Sequence, residues 1–373
     1  MNDLSLDRKG QAELTQEEAF ARIRLLRTPN VGPVSYRQLL YRYGDAVTAL
    51  EALPDMAFRG GRIPKPVSRE QVEREIAAVR RAKARYLFHD SQGYPVLLAQ
   101  QDSAPPILTW RGDITLAARP CIAIVGARNA SAAAITLAGR FAAGLRELGF
   151  VIVSGLARGI DGAAHLAALP ETIGVIASGI DISYPPQHAD LQEKIAQEGL
   201  LLAEQPPGTE PRGRHFPGRN RIIAGIAGGT LVVEAAPKSG SLITARLAAE
   251  AGREVMAIPG NPLDARAQGC NLLIRDGAVL VQSVEDVAEL LHDFSGQPRS
   301  TFREPVEDLY TCGIDMEETP ADIAGLLSNA PVEIDALIRQ TGENPGAVHL
   351  ALLEMELSGL LERHAGGRVS LRL

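Results

Sequence analysis

The chain has little cysteine. Three residues in 373, Cys121, Cys270 and Cys312, lie far apart, with no C-x-x-C pair and no neighbouring histidine cluster. This excludes a disulfide framework and a cysteine-based zinc site, and it suits a reducing cytosol. The first twenty residues are polar and mixed in charge, without the apolar core of a secretory signal. No run approaches the roughly 20 apolar residues that span a bilayer. These absences point to a soluble, cytoplasmic protein with no membrane partner.

Two further absences concern chemistry. A dinucleotide site needs G-x-G-x-x-G after the first strand of a βαβ unit, and an acid about 20 residues on for the ribose. Here the first candidate strand ends in I-V-G-A-R-N-A-S, with Gly126 alone, and the second ends in Ser154-Gly155 without an acid. NAD binding is disfavoured, and no cofactor or metal is expected. Nor does the helix near Ala347–Ser358 carry any Lys or Arg, although the order of elements around it is that of a winged helix.

What is present is globular in kind: 45% hydrophobic and 22% charged residues, enough for a sizeable core. The net charge of −7 is unevenly spread. Residues 22–90 hold fourteen Lys/Arg against seven Asp/Glu, and residues 285–322 hold eleven acids against two arginines. A basic amino-terminal region and an acidic linker imply different partners for different parts.

The pattern divides into a helical region over 17–110, a strand–helix core over 111–294, an acidic linker over 295–319 and a winged-helix-like region over 320–373. In the first, T-P-N-V-G-P (Thr28–Pro33) between two amphipathic helices resembles a helix-hairpin-helix, or SAM-like, domain, in which a Gly turn presents N–H groups to a DNA phosphate. The same Gly-Pro chemistry serves a plain structural hairpin, the preferred reading. The stretch R-G-G-R-I-P-K-P (Arg59–Pro66) is expected to be a mobile loop. The core alternates short apolar runs (C-I-A-I-V-G, F-V-I-V-S-G, T-I-G-V-I-A-S, L-L-L-A-E, T-L-V-V-E-A, E-V-M-A-I-P-G, A-V-L-V) with Ala-rich helices such as Ser131–Leu148 and Ser241–Ala251. The fold class is α/β: a Rossmann-like, doubly wound, mainly parallel sheet. At the end of the chain, Gly366-Gly367 between alternating runs marks a hairpin. With its acidic last helix, this region is expected to contact proteins rather than DNA.

In such sheets ligands bind beyond the carboxyl ends of the strands, and there the distinctive loops fall. Gly126 and Arg128 follow the first strand. Ser154, Gly155 and Arg158 follow the second, in S-G-L-A-R-G-I-D-G-A-A-H, where the glycines are expected to let a ligand approach the backbone. The pair Asp161 and His165 is read as structural. Further on comes R-G-R-H-F-P-G-R-N-R-I-I-A-G, with Arg212, Arg214, Phe216, Arg219, Asn220 and Arg221, and then P-K-S-G-S, with Lys238, Ser239 and Gly240 opening a helix. An aromatic stacks a base, arginines pair with phosphates, and a Gly-rich helix start offers free N–H groups to an anion. These fourteen residues form a candidate surface for single-stranded nucleic acid. Arg221 is the one expected to point towards the core.

The succession I-V-G-A-R, S-G-L-A-R-G-I-D-G-A-A-H, S-G-I-D-I-S-Y-P, F-P-G-R-N-R-I-I-A-G, V-V-E-A-A-P-K-S-G-S-L-I-T-A and G-R-E-V-M-A-I-P-G resembles the DNA-processing family DprA, also called Smf. The resemblance implies a Rossmann-like core that binds single-stranded DNA, forms a homodimer and helps load the RecA recombinase in natural transformation, without catalysis. It implies strand-binding roles for Arg128, the basic run before Phe216, Phe216 itself and the Arg-Asn-Arg triplet. The rival is an enzyme: the same sheet with a Gly-rich loop is similar to nucleoside-monophosphate phosphoribohydrolases. Those need a carboxylate just after the loop, whereas Ser241–Ala249 contains no acid and Glu234 lies before it.

Overall fold

In the computed structural model, residues 14–55, 65–291, 323–364 and 366–372 are described. The acidic linker at 295–319 and most of the expected loop at 59–66 lie outside them. Two compact units result, one of them built on Glu75–Thr301 and the other on Met1–Arg74 together with Phe302–Leu373.

The first unit is a nine-stranded sheet: β1 (Arg85–Phe88), β2 (Ile107–Gly112), β3 (Cys121–Val125), β4 (Val151–Ser154), β5 (Thr172–Gly179), β6 (Leu200–Gln205), β7 (Gly229–Val232), β8 (Glu254–Ala257) and β9 (Val279–Leu280). Their spatial order is β1-β2-β6-β5-β4-β3-β7-β8-β9. From β6 to β9 all pairs are parallel, and β2 joins β6 antiparallel, with β1 antiparallel to β2. The seven runs read as strands become the parallel strands.

The hairpin β1–β2 is the correction. It falls in the stretch assigned to the helical region, yet it is part of this sheet, so the core begins upstream of residue 111. Phe88 and Ile107 open its register and Trp110 pairs with Arg85, and its apolar side chains Leu87, Leu108 and Trp110 enter one of the two cores.

Alternation along each strand builds those cores. Ile122, Ile124, Ile152 and Leu231 face helices Ala132–Glu147, Ile160–Ala168 and Val284–Leu291. Their sequence neighbours Ala123, Val125, Val151, Val153 and Val232 face the other side, with Ile222, Ile223 and Ile226 of helix His215–Ile226 and Ala245 of helix Gly240–Glu250. This is the three-layer arrangement of a doubly wound sheet. Ser131 caps the first of these helices by accepting from the Ala134 N–H at 3.1 Å.

The second unit joins both ends of the chain. Helices Gln16–Arg27, Pro33–Tyr43 and Ala46–Ala52 pack around Leu25, Tyr36, Leu39 and Leu50. The carboxylate of Glu18 fastens the first to the third by accepting from the Ala46 N–H at 3.0 Å. The C-terminal part has helices Ile334–Thr341 and Pro345–Leu357 and a small antiparallel sheet of β10 (Val332–Glu333), β11 (Leu361–His364) and β12 (Arg368–Leu371), ordered β10-β12-β11. The hairpin expected at Gly366-Gly367 joins β11 to β12.

Candidate nucleic-acid interface

From β3 the chain winds outward through β4, β5 and β6, then returns to the other side of β3 with β7. The strand order therefore reverses between β3 and β7, and the crevice beyond their carboxyl ends is where such folds take ligands. A notch of about 50 Å³ opens beside this point, lined by Arg128, Gly155, Ala157, Arg158, Tyr184, Pro185, Phe216 and Arg219. It holds a few waters and is too small to engulf a nucleobase, so a base has to lie across its mouth.

Phe216 is half-buried in the first turn of helix His215–Ile226. The Arg128 guanidinium lies 5.1 Å from its ring centroid and that of Arg219 lies 5.8 Å away. Tyr184 meets the ring edge-on, with centroids 6.0 Å apart and planes at 64°. Arg128, Arg158, Arg212, Arg214 and Lys238 are exposed. The structure thus gathers Arg128, Arg158 and Phe216 at one notch, and Arg212 and Arg214 lie in the segment leading into the same helix.

The triplet Arg219-Asn220-Arg221 is placed differently from the sequence reading, which set it on an exposed run. Arg219 is only 7% exposed. It donates to the carbonyls of Gly155 and, at 3.1 Å, Val175, and to Asn220 Oδ1 at 3.0 Å. Burial lowers its pKa to about 10, so it stays charged at neutral pH. Asn220 is buried too, and its amide donates to the Gly240 carbonyl at 3.4 Å. Arg221 pairs with Glu204 and donates to the Ser103 carbonyl. The cause is helical geometry: residues 216, 219 and 220 share a face that turns towards the sheet, and 221 points elsewhere.

Ser154 and Gly155 are corrected as well. The Ser154 hydroxyl is fully buried and donates to the Ile124 carbonyl at 2.6 Å, tying β4 to β3. A Cβ on Gly155 would collide with the Arg219 guanidinium, and Gly159 adopts φ +76° against the Ala127 carbonyl. These glycines let backbone meet protein, not ligand. Gly126 likewise packs under Ile160, where a Cβ would sit 2.6 Å from Ile160 Cγ1. Ser239 caps helix Gly240–Glu250, its hydroxyl accepting from the Ser241 N–H, with Gly240 exposed beside it.

The titratable groups beneath the site are structural. Asp161 accepts from the N–H groups of Gly155 and Ala157 at 3.2 and 3.4 Å. Burial raises its pKa, and the facing charge of Arg219 opposes that shift. Thr172 Oγ1 donates to the Ile152 carbonyl, so the tautomer assigned to His165 is Nδ1–H donating to Thr172 at 2.7 Å. Burial pushes the His165 pKa down to about 3. Glu234 accepts from both the N–H and the hydroxyl of Ser131, at 3.0 and 2.7 Å, which commits the carboxylate nearest the Gly-rich loop to holding a helix start. Among the described residues, no group of three or more His, Cys, Asp or Glu is placed to hold a metal, and no helix is long and apolar enough to cross a membrane.

Tyr184 is the pocket wall that sequence reasoning missed as such; S-Y-P-P was read only as a turn. Its signal was an aromatic at the carboxyl end of β5, level with the other loops.

Family models agree with this geometry. The model for DNA recombination-mediator protein A matches residues 85–292, that for the DprA-like N-terminal HHH domain residues 16–78, and that for the DprA winged helix domain residues 314–367. The chain belongs to the DprA/Smf family. Among curated relatives, the DNA processing protein DprA of Streptococcus pneumoniae is 47% identical over 197 residues, 52% of this chain and 70% of that protein. Protein Smf of Synechocystis is 34% identical over 325 residues, 77% of this chain and 80% of that protein. The crystal structure of the S. pneumoniae DprA superposes with a TM-score of 0.62 at 34% identity, covering 72% of this chain and 96% of that one. A DNA processing protein A from Helicobacter pylori, solved for its single-stranded DNA binding mode, gives a TM-score of 0.52 at 29% identity, covering 56% and 95%. Its match to the family's sheet start at residue 85 accords with the placement of the β1–β2 hairpin.

Proposed function

We propose that the chain binds single-stranded DNA across the notch at the carboxyl ends of β3, β4 and β5, as a recombination mediator and not as an enzyme. The observation that carries this is Phe216, half-buried at the mouth of the notch with Arg128 stacked against it and Arg158 on the same rim. A base takes the aromatic edge of the notch while Arg128 and Arg158 reach the flanking phosphates. Arg212, Arg214, Lys238 and the Gly240 helix start extend the cationic track, and Arg219, Asn220 and Arg221 hold its floor. The H. pylori relative, which binds single-stranded DNA, supports the reading. The phosphoribohydrolase alternative lacks its carboxylate, because Glu234 is engaged with Ser131.

The same reading includes a cytoplasmic homodimer that hands strands to the RecA recombinase in transformation. One notch covers few nucleotides, and two linked copies raise the effective strand concentration at each. The region 258–281 is the proposed two-fold surface: it ends in the two-residue edge strand β9, with Leu280 exposed, and it carries Leu263 at 92% exposure.

The test is fluorescence anisotropy against single-stranded and duplex DNA over a salt series. Single strands bind tighter. Phe216→Ala costs about 1–3 kcal/mol with little change in salt slope, and Arg128→Ala flattens the slope by about one unit. Equal affinity for both forms at physiological salt removes the stacking role and with it this reading.

A further inference from the structure

The two ends of the chain each carry an element of a type that meets DNA: the Gly32 turn of the N-terminal helices, and the last helix of the winged-helix region. In this structure they cover each other. Leu353 and Leu357 of helix Pro345–Leu357 enter the same apolar cluster as Val31, Tyr36 and Leu39 around the N-terminal turn. Asn30, at the tip of that turn, donates its side-chain amide to the Leu357 carbonyl at 3.1 Å, closing the end of the C-terminal helix. Glu356 completes the clasp. Its Oε2 accepts from Arg363 Nε of β11 at 2.8 Å, and its Oε1 lies 3.3 Å from where a Cβ on Gly32 would stand. Gly359, just past the helix, faces Asn30 in turn, with a built Cβ 3.1 Å from its amide.

A carboxylate therefore lies over the Gly turn, on the approach a DNA phosphate would take. A negative group at that place repels an incoming phosphate, and the helix bearing it excludes the polymer sterically. The C-terminal helix is occupied as well: Val348, Leu350, Leu352, Leu353, Met355 and Leu357 are all buried, which leaves it no free face for a groove.

We propose that the winged-helix region is an intramolecular cap on the hairpin turn, so that the unit formed by the two chain ends is closed to DNA, and that opening the cap exposes a second site, for the phosphate backbone of duplex DNA. The ligand class follows from what would be uncovered: a Gly turn with backbone N–H groups in the stretch of the chain that carries fourteen basic against seven acidic residues over 22–90. This site is separate from the notch beyond β3–β5, which takes unpaired bases.

The experiment uses the full chain carrying Phe216→Ala, which disables the sheet site, and adds either Leu353→Ala with Leu357→Ala or, as a gentler pair that leaves the apolar contact intact, Asn30→Ala with Glu356→Gln. Hydrogen exchange over Gln16–Arg27 and Pro33–Tyr43 reports opening, and anisotropy with a labelled duplex reports binding. The cap predicts faster exchange in both N-terminal helices. It also predicts duplex binding tightened by about tenfold if the capped chain is open about one-tenth of the time, since apparent affinity scales with the competent fraction. Unchanged exchange in both variants overturns the clasp. Faster exchange with duplex affinity unchanged overturns the masked site. A Phe216→Ala chain that still binds single strands like the unaltered protein counts against the sheet site alone and leaves this test intact.

Discussion

Replacing Arg219 by Ala separates two roles that an arginine beside a DNA notch can have. If Arg219 is a buried organiser, its loss strands the Gly155 and Val175 carbonyls and the Asn220 side-chain oxygen, and leaves the fully buried Asp161 facing no cation. Each buried acceptor left without a donor costs about 1–3 kcal/mol, and removing one partner of a buried ion pair costs about 3–5 kcal/mol in total. These terms overlap, so the expected destabilisation is about 3–5 kcal/mol, a large share of the roughly 5–15 kcal/mol that holds a typical domain together. Arg128→Ala loses only an exposed cation–π contact of about 0.5–1 kcal/mol. The chain's single tryptophan, Trp110, is buried in the core of the same sheet and makes a built-in probe. Urea titration by its fluorescence is expected to show a midpoint far below that of the unaltered chain for Arg219→Ala and one close to it for Arg128→Ala, with similar slopes. An Arg219→Ala variant within about 1 kcal/mol of the unaltered chain that loses DNA affinity and one unit of salt slope would refute the burial argument and restore Arg219 as a phosphate ligand.

Two further outcomes follow from groups buried under the site. Burial pushes the Cys121 thiol up to about 12 and Cys270 up to about 11, so neither is expected to react with iodoacetamide at pH 8 in the folded chain, while both react in urea; mass mapping of alkylated peptides checks this. His165, with its folded pKa depressed to about 3, contributes stability that is fully present above the ordinary histidine value near 6.5 and is lost as pH falls from there towards 3. That loss amounts to about 1.4 kcal/mol for each pH unit. Urea midpoints at pH 7 and pH 5 are expected to differ less in His165→Asn than in the unaltered chain, and equal pH dependence in the two would show that His165 is not held neutral.

Much of the core was legible because its strands are short apolar runs and its helices begin at visible caps. Ser131 and Ser239 stand at the helix starts that the residue pattern marked. The hairpin β1–β2 was not legible in the same way. Arg85–Phe88 and Ile107–Gly112 are brief, antiparallel and set among helical and basic residues, and their membership of the sheet depends on pairing β2 with β6, about ninety residues downstream. At the site, the residue types were readable but their directions were not. Read as a loop, R-N-R offers three side chains to solvent; wound into helix His215–Ile226, the same triplet turns Arg219 and Asn220 inward beside Phe216. The glycines of S-G-L-A-R-G-I-D-G carried a similar ambiguity. Close approach was the correct inference, but what approaches Gly155 is Arg219, sixty-four residues later in the chain. Contacts that distant in sequence leave no local trace.

The most direct test of a base lying across the Phe216 notch is photo-crosslinking of the full chain to a single-stranded oligonucleotide carrying 5-iodouracil, followed by peptide mapping. The account predicts that crosslinked bases map to Phe216 and Tyr184, and that Phe216→Ala abolishes the first of these while Arg128→Ala weakens both. Crosslinks confined to the β11–β12 hairpin or to helix Pro345–Leu357, with none in residues 184–216, would contradict it.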